Sequence, residues 1–167
     1  AATPINHNIV LLDGPIYLCA IGRDLAGNYQ DVASASSVNW VKDTTPPAAV
    51  VLSNYPTDTN NMTSLSVGVG GTDVSHYKYK LGRTPLDCSG GGYGTEQAIA
   101  NVIADDFSNL GDGDIKLCVI GRDDVGNYQA EADAAWVSWT KDTTAPTASF
   151  ASGLPTGVNN LVNILVG

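Results

Sequence analysis

Four aspartates stand out for what they could do chemically. Asp24 and Asp123 are separated by 99 residues, and so are Asp43 and Asp142. Carboxylates are hard oxygen donors, and Ca²⁺ takes about six to eight such ligands. An aspartate in a linker and one beside a hairpin turn would supply part of that set, with backbone carbonyls completing it. The competing reading is structural: Asp24 and Asp123 satisfy turn N–H groups, while Asp43 and Asp142 end strands. Little else suggests reactivity. His7 and His76 share no repeat position, and neither lies in a nucleophile or metal motif. Ser89 precedes three glycines but lacks the Lys-Ser/Thr that a phosphate-binding loop requires. The sequence therefore predicts a protein that is not an enzyme.

The spacing of 99 is general. Residues 13–30 and 112–129 match at 13 of 18 positions, and the offset continues without a gap. Trp40 maps to Trp139, Lys42 to Lys141, and Pro47 to Pro146; Leu65 and Val67 map to Ile164 and Val166. Residues 69–99 occur once. A fixed period marks an array of one structural unit. With linkers at the Asp-Thr-Thr seams, residues 1–45 read as the rear half of a unit. Residues 46–145 read as a complete unit, and 146–167 as the front strands of a third. The chain reads as a window in a longer array.

That phase explains three cysteines. Cys19 and Cys118 hold the same repeat position, while Cys88 lies in the unrepeated centre. A Cys88–Cys118 bridge is expected, leaving Cys19 unpaired in this window; buried free thiols are the alternative. Such a bridge contributes about 3–4 kcal/mol through loop closure and implies an oxidising, extracytoplasmic setting.

The elements that must position these groups are strands. Alternation of period two dominates, with Gly, Pro, Asn, Asp and Ser clusters about every 8–12 residues, the spacing of an all-β sandwich. Strands are expected through Val50–Leu52, Leu65–Val69 and Tyr77–Leu81, with Tyr77, Tyr79 and Leu81 on one face. The segment 98–110 is apolar but of undecided type. In 115–120, Ile115, Leu117 and Val119 form the predicted core face, so Cys118 points outward and its bridge straps the glycine-rich loop 86–94 over the sheet. The 123–127 segment has the make-up of a hairpin turn ending in a left-handed glycine. Val137 and Trp139 face the core. Trp136 faces away and has no repeat counterpart, since Ser37 stands there. It is placed to stack on a sugar or a neighbouring unit, or to cover the cysteine strap. The turn order describes an immunoglobulin-like β-sandwich of Greek-key type.

Seventeen acidic against eight basic residues give a net charge of −9. That excludes a nucleic-acid partner, which needs clustered Lys and Arg, and disfavours an anionic membrane surface. No apolar run approaches the roughly 20 residues that span a bilayer.

The Asp-Gly opener at Asp13 and Asp112, the hairpins 24–28 and 123–127, and the seams Asp43-Thr-Thr-Pro-Pro47 and Asp142-Thr-Thr-Ala-Pro146 carry a resemblance. They resemble the bacterial immunoglobulin-like repeats of large surface and adhesin proteins. The cysteine in the signature strand departs from that pattern. The resemblance implies a stalk, spacer or ligand-presenting role at a bacterial surface, and Ca²⁺ where units meet. Neighbouring copies are the expected partners, within a chain or between chains that exchange strands as a filament; glycan binding through Trp136 is the further alternative. No cofactor is required beyond possible Ca²⁺.

Overall fold

Alternating side chains build the long strands, and what covers each face decides the architecture. The structure is a computed structural model describing residues 4–48, 50–150, 157 and 160, with only the backbone at 50–52. It is all-β, with helix limited, among the described residues, to single 3₁₀ turns at Val32–Ser34 and Glu131–Asp133. The strands are β1 (Gly14–Ala20), β2 (Ser36–Lys42), β3 (Val50–Ser53), β4 (Thr59–Asn60), β5 (Gly68–Gly70), β6 (His76–Arg83), β7 (Gln97–Ala98), β8 (Gly113–Arg122) and β9 (Ala135–Lys141).

The main sheet runs β4-β9-β8-β6-β7, antiparallel except where β4 meets β9. Opposite it lie the β3–β5 pair and an irregular ribbon joining residues 63–67 to 103–107. Backbone bonds Leu65 N–H to Asp105 C=O (2.8 Å) and Phe107 N–H to Thr63 C=O (2.8 Å) hold that ribbon. The undecided apolar segment is therefore extended at 103–107. Its bulge-prone pairing hides the period, because Ile103 and Phe107 both reach the core at a spacing that also suits a helix.

Leu65, Val67, Val69, Tyr77, Ile103, Phe107, Ile115, Leu117, Val119 and Trp139 form one buried cluster between the layers. Phe107 meets Trp139 edge to face, with centroids 5.7 Å apart. Tyr79, Leu81 and Val137 pack against the cluster as their alternation predicts. The layered arrangement is sandwich-like.

Cys118 lies on the outer face of β8, as expected, and is fully buried there, with Ile120 nearly so. The cause is the loop 86–94. Cys88 and Cys118 are bonded with Sγ–Sγ 2.00 Å and Cα–Cα 5.6 Å. Lys80 Nζ donates to Gly91 C=O, Lys116 Nζ to Leu86 C=O, and Tyr93 Oη to Cys88 C=O. The strap turns an outer face into a second, smaller interior.

Among the described residues, the β1–β2 hairpin pairs with no other strand. Cys19 is a free, exposed thiol opposite Ser37. Of the third unit's expected front strands, residues 151–156, 158–159 and 161–167 lie outside the described residues.

Candidate functional site at the junction

The two hairpin loops are built alike. Gly27 and Gly126 adopt φ of 96° and 108°, a region that glycine enters without strain. This closes the loops with Asp24 N–H to Asn28 C=O (3.0 Å) and Asp123 N–H to Asn127 C=O (3.1 Å). Inside each loop the aspartate gathers donors. Asp24 accepts from the Asn28 backbone and side-chain amide at 2.8 and 2.9 Å. Asp123 Oδ1 accepts from the N–H groups of Val125, Gly126 and Asn127 at 3.0, 2.7 and 2.8 Å, and its Oδ2 from Asn127 Nδ2 at 2.7 Å. The Asn28 amide groups hold the Asp24 carboxyl below the ordinary range. Burial pushes Asp123 upward, but the bonds from Asn127, Gly126 and Val125 together outweigh it and leave it lowered. The turn role expected of both aspartates is thus present.

The Asp-Gly opener explains itself at the seam. Asp13 accepts from Lys42 Nζ (2.7 Å), Thr44 N–H (2.8 Å), Thr44 Oγ1 (2.9 Å) and Thr45 Oγ1 (3.0 Å). Asp112 accepts from Thr143 N–H (3.0 Å), Thr143 Oγ1 (2.8 Å) and Thr144 Oγ1 (2.7 Å). Each opener fastens the Thr-Thr segment that leaves its own hairpin. Asp43 and Asp142 turn the segment locally, accepting from Thr45 and Thr144 N–H at 2.9 and 3.0 Å.

The fastened linker then packs against the loops that carry Gly71 and Asn127. Asn127 Nδ2 donates to Asp43 C=O at 3.2 Å, Pro47 is buried, and Ala48 C=O passes Gly71 so closely that a Cβ there would lie 2.0 Å from the oxygen. Here carboxylate oxygens of Asp43, Asp73 and Asp123 lie within 4.8 Å of one another. Two oxygens each about 2.4 Å from a shared Ca²⁺ stand at most about 4.8 Å apart, so the set fits a hard cation. Asp123 is only 1% exposed, and its Oδ2, with one bond made, keeps accepting capacity.

Of the four aspartates singled out from sequence, the structure joins Asp43 to Asp123. Asp24 and Asp142 stay apart from that cluster, each in its own turn. Asp73 escaped sequence reading because it lies in the unrepeated 69–99. Its only signal was the Gly70-Gly-Thr-Asp turn, where it takes φ 62°, a conformation aspartate tolerates better than most residues.

Trp136 is 57% exposed. It stands opposite Cys118 in register, and Lys116 Nζ sits 4.6 Å from its ring centre, so one ring face already carries a cation. No protein-family model and no curated protein matches this chain.

Proposed function

We propose that the chain is a non-catalytic structural segment of an extracellular, tandem immunoglobulin-like repeat protein, a stalk or adhesin spacer at a bacterial surface. In this reading 1–45, 46–145 and 146–167 are the rear of one unit, a whole unit, and the front of a third. The observation that carries it is the junction. Asp13 fastens residues 44–45, Asn127 holds Asp43 C=O, and Gly71 admits Ala48. A seam held at three points transmits orientation, as a spacer must, where an unfastened linker would only tether. The Cys88–Cys118 bridge suits an oxidising exterior.

Backbone ¹⁵N relaxation tests this directly. Residues 43–45 are expected to show order parameters near those of β8, falling on Asn127→Ala or Asp13→Ala. Values below about 0.6 in the unsubstituted chain would remove the spacer reading.

The converging carboxylates favour a further element of the same reading, a junction stiffened by Ca²⁺ through Asp43, Asp73 and Asp123. Calorimetric titration with CaCl₂ should give binding heat that Asp73→Asn abolishes, together with a rise in Tm. No heat, with Tm unchanged, removes calcium and leaves a junction held by hydrogen bonds alone.

A further inference from the structure

We propose that the outer face of β9 binds a neutral oligosaccharide, with Trp136 as a stacking platform and the hydroxyl-lined cleft shared with β4 and β8 as the polar subsite. This goes beyond the spacer reading and uses neither seam, since every residue involved lies between 58 and 140.

The first ground is the cleft. It measures about 450 Å³, within the range of about 300–1,000 Å³ usual for small-ligand sites. Asp58, Thr59, Thr84, Asp114, Ser138 and Thr140 line it, together with Trp139 of the core cluster. Thr140 stands opposite Thr59 in one strand pair and opposite Asp114 in the other. Backbone bonds fix the flanks, from Thr140 N–H to Asp58 C=O (3.0 Å) and from Thr84 N–H to Asp114 C=O (2.9 Å). Thr140 Oγ1 donates to Asp114 Oδ1 at 2.7 Å, which leaves Oδ2 to accept from a ligand. Hydroxyls donate and accept, and carboxylates accept, so the lining complements a molecule that is itself covered in hydroxyls. Asp58 and Asp114 repel an anionic glycan or a phosphate. An apolar peptide would find little apolar area to bury there.

The second ground is the platform. Trp136, Ser138 and Thr140 alternate on the outer face of β9. A rise of about 3.3 Å per residue sets Trp136 roughly 13 Å from Thr140, a reach that suits more than one sugar ring. Trp136 is 57% exposed, with Lys116 Nζ 4.6 Å from its ring centre. The negative face of an aromatic ring attracts the C–H groups of a pyranose. Platform and cleft in line along one strand therefore match a chain of rings that are apolar on their faces and polar at their rims.

The first hairpin shows that the fold does not demand this strip. Ile16, Trp40 and Lys42 repeat the inward Ile115, Trp139 and Lys141, but Pro15, Ser37, Asn39 and Val41 replace Asp114, Trp136, Ser138 and Thr140. Asn39 and Val41 stay exposed beside the residues that follow them. A chain continuing past β9 in the same way leaves the strip open.

Native electrophoresis of the full chain through gels cast with dextran, mannan, galactan or β-glucan tests the proposal, with alginate as the anionic arm. At least one neutral gel should retard the chain. Trp136→Ser should abolish the retardation. Asp114→Ala should raise the dissociation constant, read from mobility against polysaccharide concentration, at least about tenfold, as loss of a charge-assisted hydrogen bond does. Both side chains are exposed, and an unchanged urea midpoint shows that each variant is folded. Retardation by no neutral polysaccharide overturns the proposal. Retardation by alginate alone overturns it too, and assigns the surface to Lys116 and the cations near it. Binding that survives both substitutions lies elsewhere and likewise overturns it. In each of those cases an ordered 43–45 linker still upholds the spacer reading, so the two failures are read separately.

Discussion

The hairpins 13–45 and 112–144 are one sequence in two surroundings. Many of their loop and seam hydrogen bonds coincide, including those of the glutamine after the loop. Gln30 Oε1 accepts from Gly22 N–H at 3.0 Å, and Gln129 Oε1 accepts from Gly121 N–H at 3.1 Å. Gln30 Nε2 then reaches Ser34 C=O, as Gln129 Nε2 reaches Asp133 C=O. Burial does not coincide: Trp139 is 3% exposed and Trp40 38%. Turn and seam chemistry is therefore local, set within about 30 residues by Asp, Gly, Asn, Gln and Thr. The core is supplied from outside, by residues 63–110. Lys141 shows the transition. Its ammonium is buried and donates to Ser108 and Leu110 C=O, whereas Lys42, without that ribbon, pairs with Asp13.

The largest effect that tests this contrast is at the tryptophans. Trp139→Ala removes a buried ring from the centre of the cluster and should cost about 3–5 kcal/mol. Trp40→Ala, measured in dilute solution, should change the main unfolding transition by under about 0.5 kcal/mol. Urea denaturation followed by circular dichroism reads both. Equal costs would mean that the hairpin belongs to the same cooperative core, and the contrast would be lost.

Next in size is the strap. The bridge spans 30 residues of sequence, so replacing Cys88 and Cys118 by serine should cost about 3–4 kcal/mol in the loop-closure account. The same treatment at Cys19, a free thiol at the equivalent position, should leave stability unchanged. Reduction of the unsubstituted chain should reproduce the double-serine loss. If instead the double variant unfolds at the parent's urea midpoint, the buried outer face of β8 is held by Lys80, Lys116 and Tyr93 without the sulfurs.

Much of this was legible from the residues, and the failures share a cause. Strands β6, β8 and β9 announced their faces because alternation there is unbroken and one side meets the core. The bridge followed from counting which cysteine lacked a repeat partner. The strap over Cys118 was legible, but alternation reports the faces of a strand and not how completely a distant loop covers one of them, so the depth of burial of Cys118 and Ile120 shows only in the structure. The type of the apolar segment 98–110 stayed undecided because its extended stretch pairs through isolated bridges at Ile103 and Asp106 that carry no period. At the junction, Asp43 and Asp123 were visible as repeats, but Asp73 has no copy and converges on them only through the fold. Asp13 and Asp112 were quoted as parts of a motif, yet their work, fastening the residues about 31 positions on, needs the hairpin's register to be seen.

The smallest effect separates local from supplied stability by pH. Thr144 and Thr143 hold the Asp112 carboxyl below its ordinary range, while Lys42 and Thr44 do the same more strongly for Asp13. A carboxyl lowered by folding binds its proton more readily in the unfolded chain. The stability it contributes is therefore full above the unfolded pKa of about 3.9 and fades as pH falls through the lower folded value. Both seams are exposed, so solvent keeps each contribution small. Asp112→Asn should flatten the fall in urea midpoint between pH 5 and pH 2.5, because the amide does not titrate. Asp13→Asn should leave that slope as it is and instead raise ¹⁵N mobility at 44–45 near pH 7. If Asp13→Asn flattens the main transition as much as Asp112→Asn does, the first hairpin shares the core unit's folding equilibrium, and its exposed tryptophan does not report an independent element.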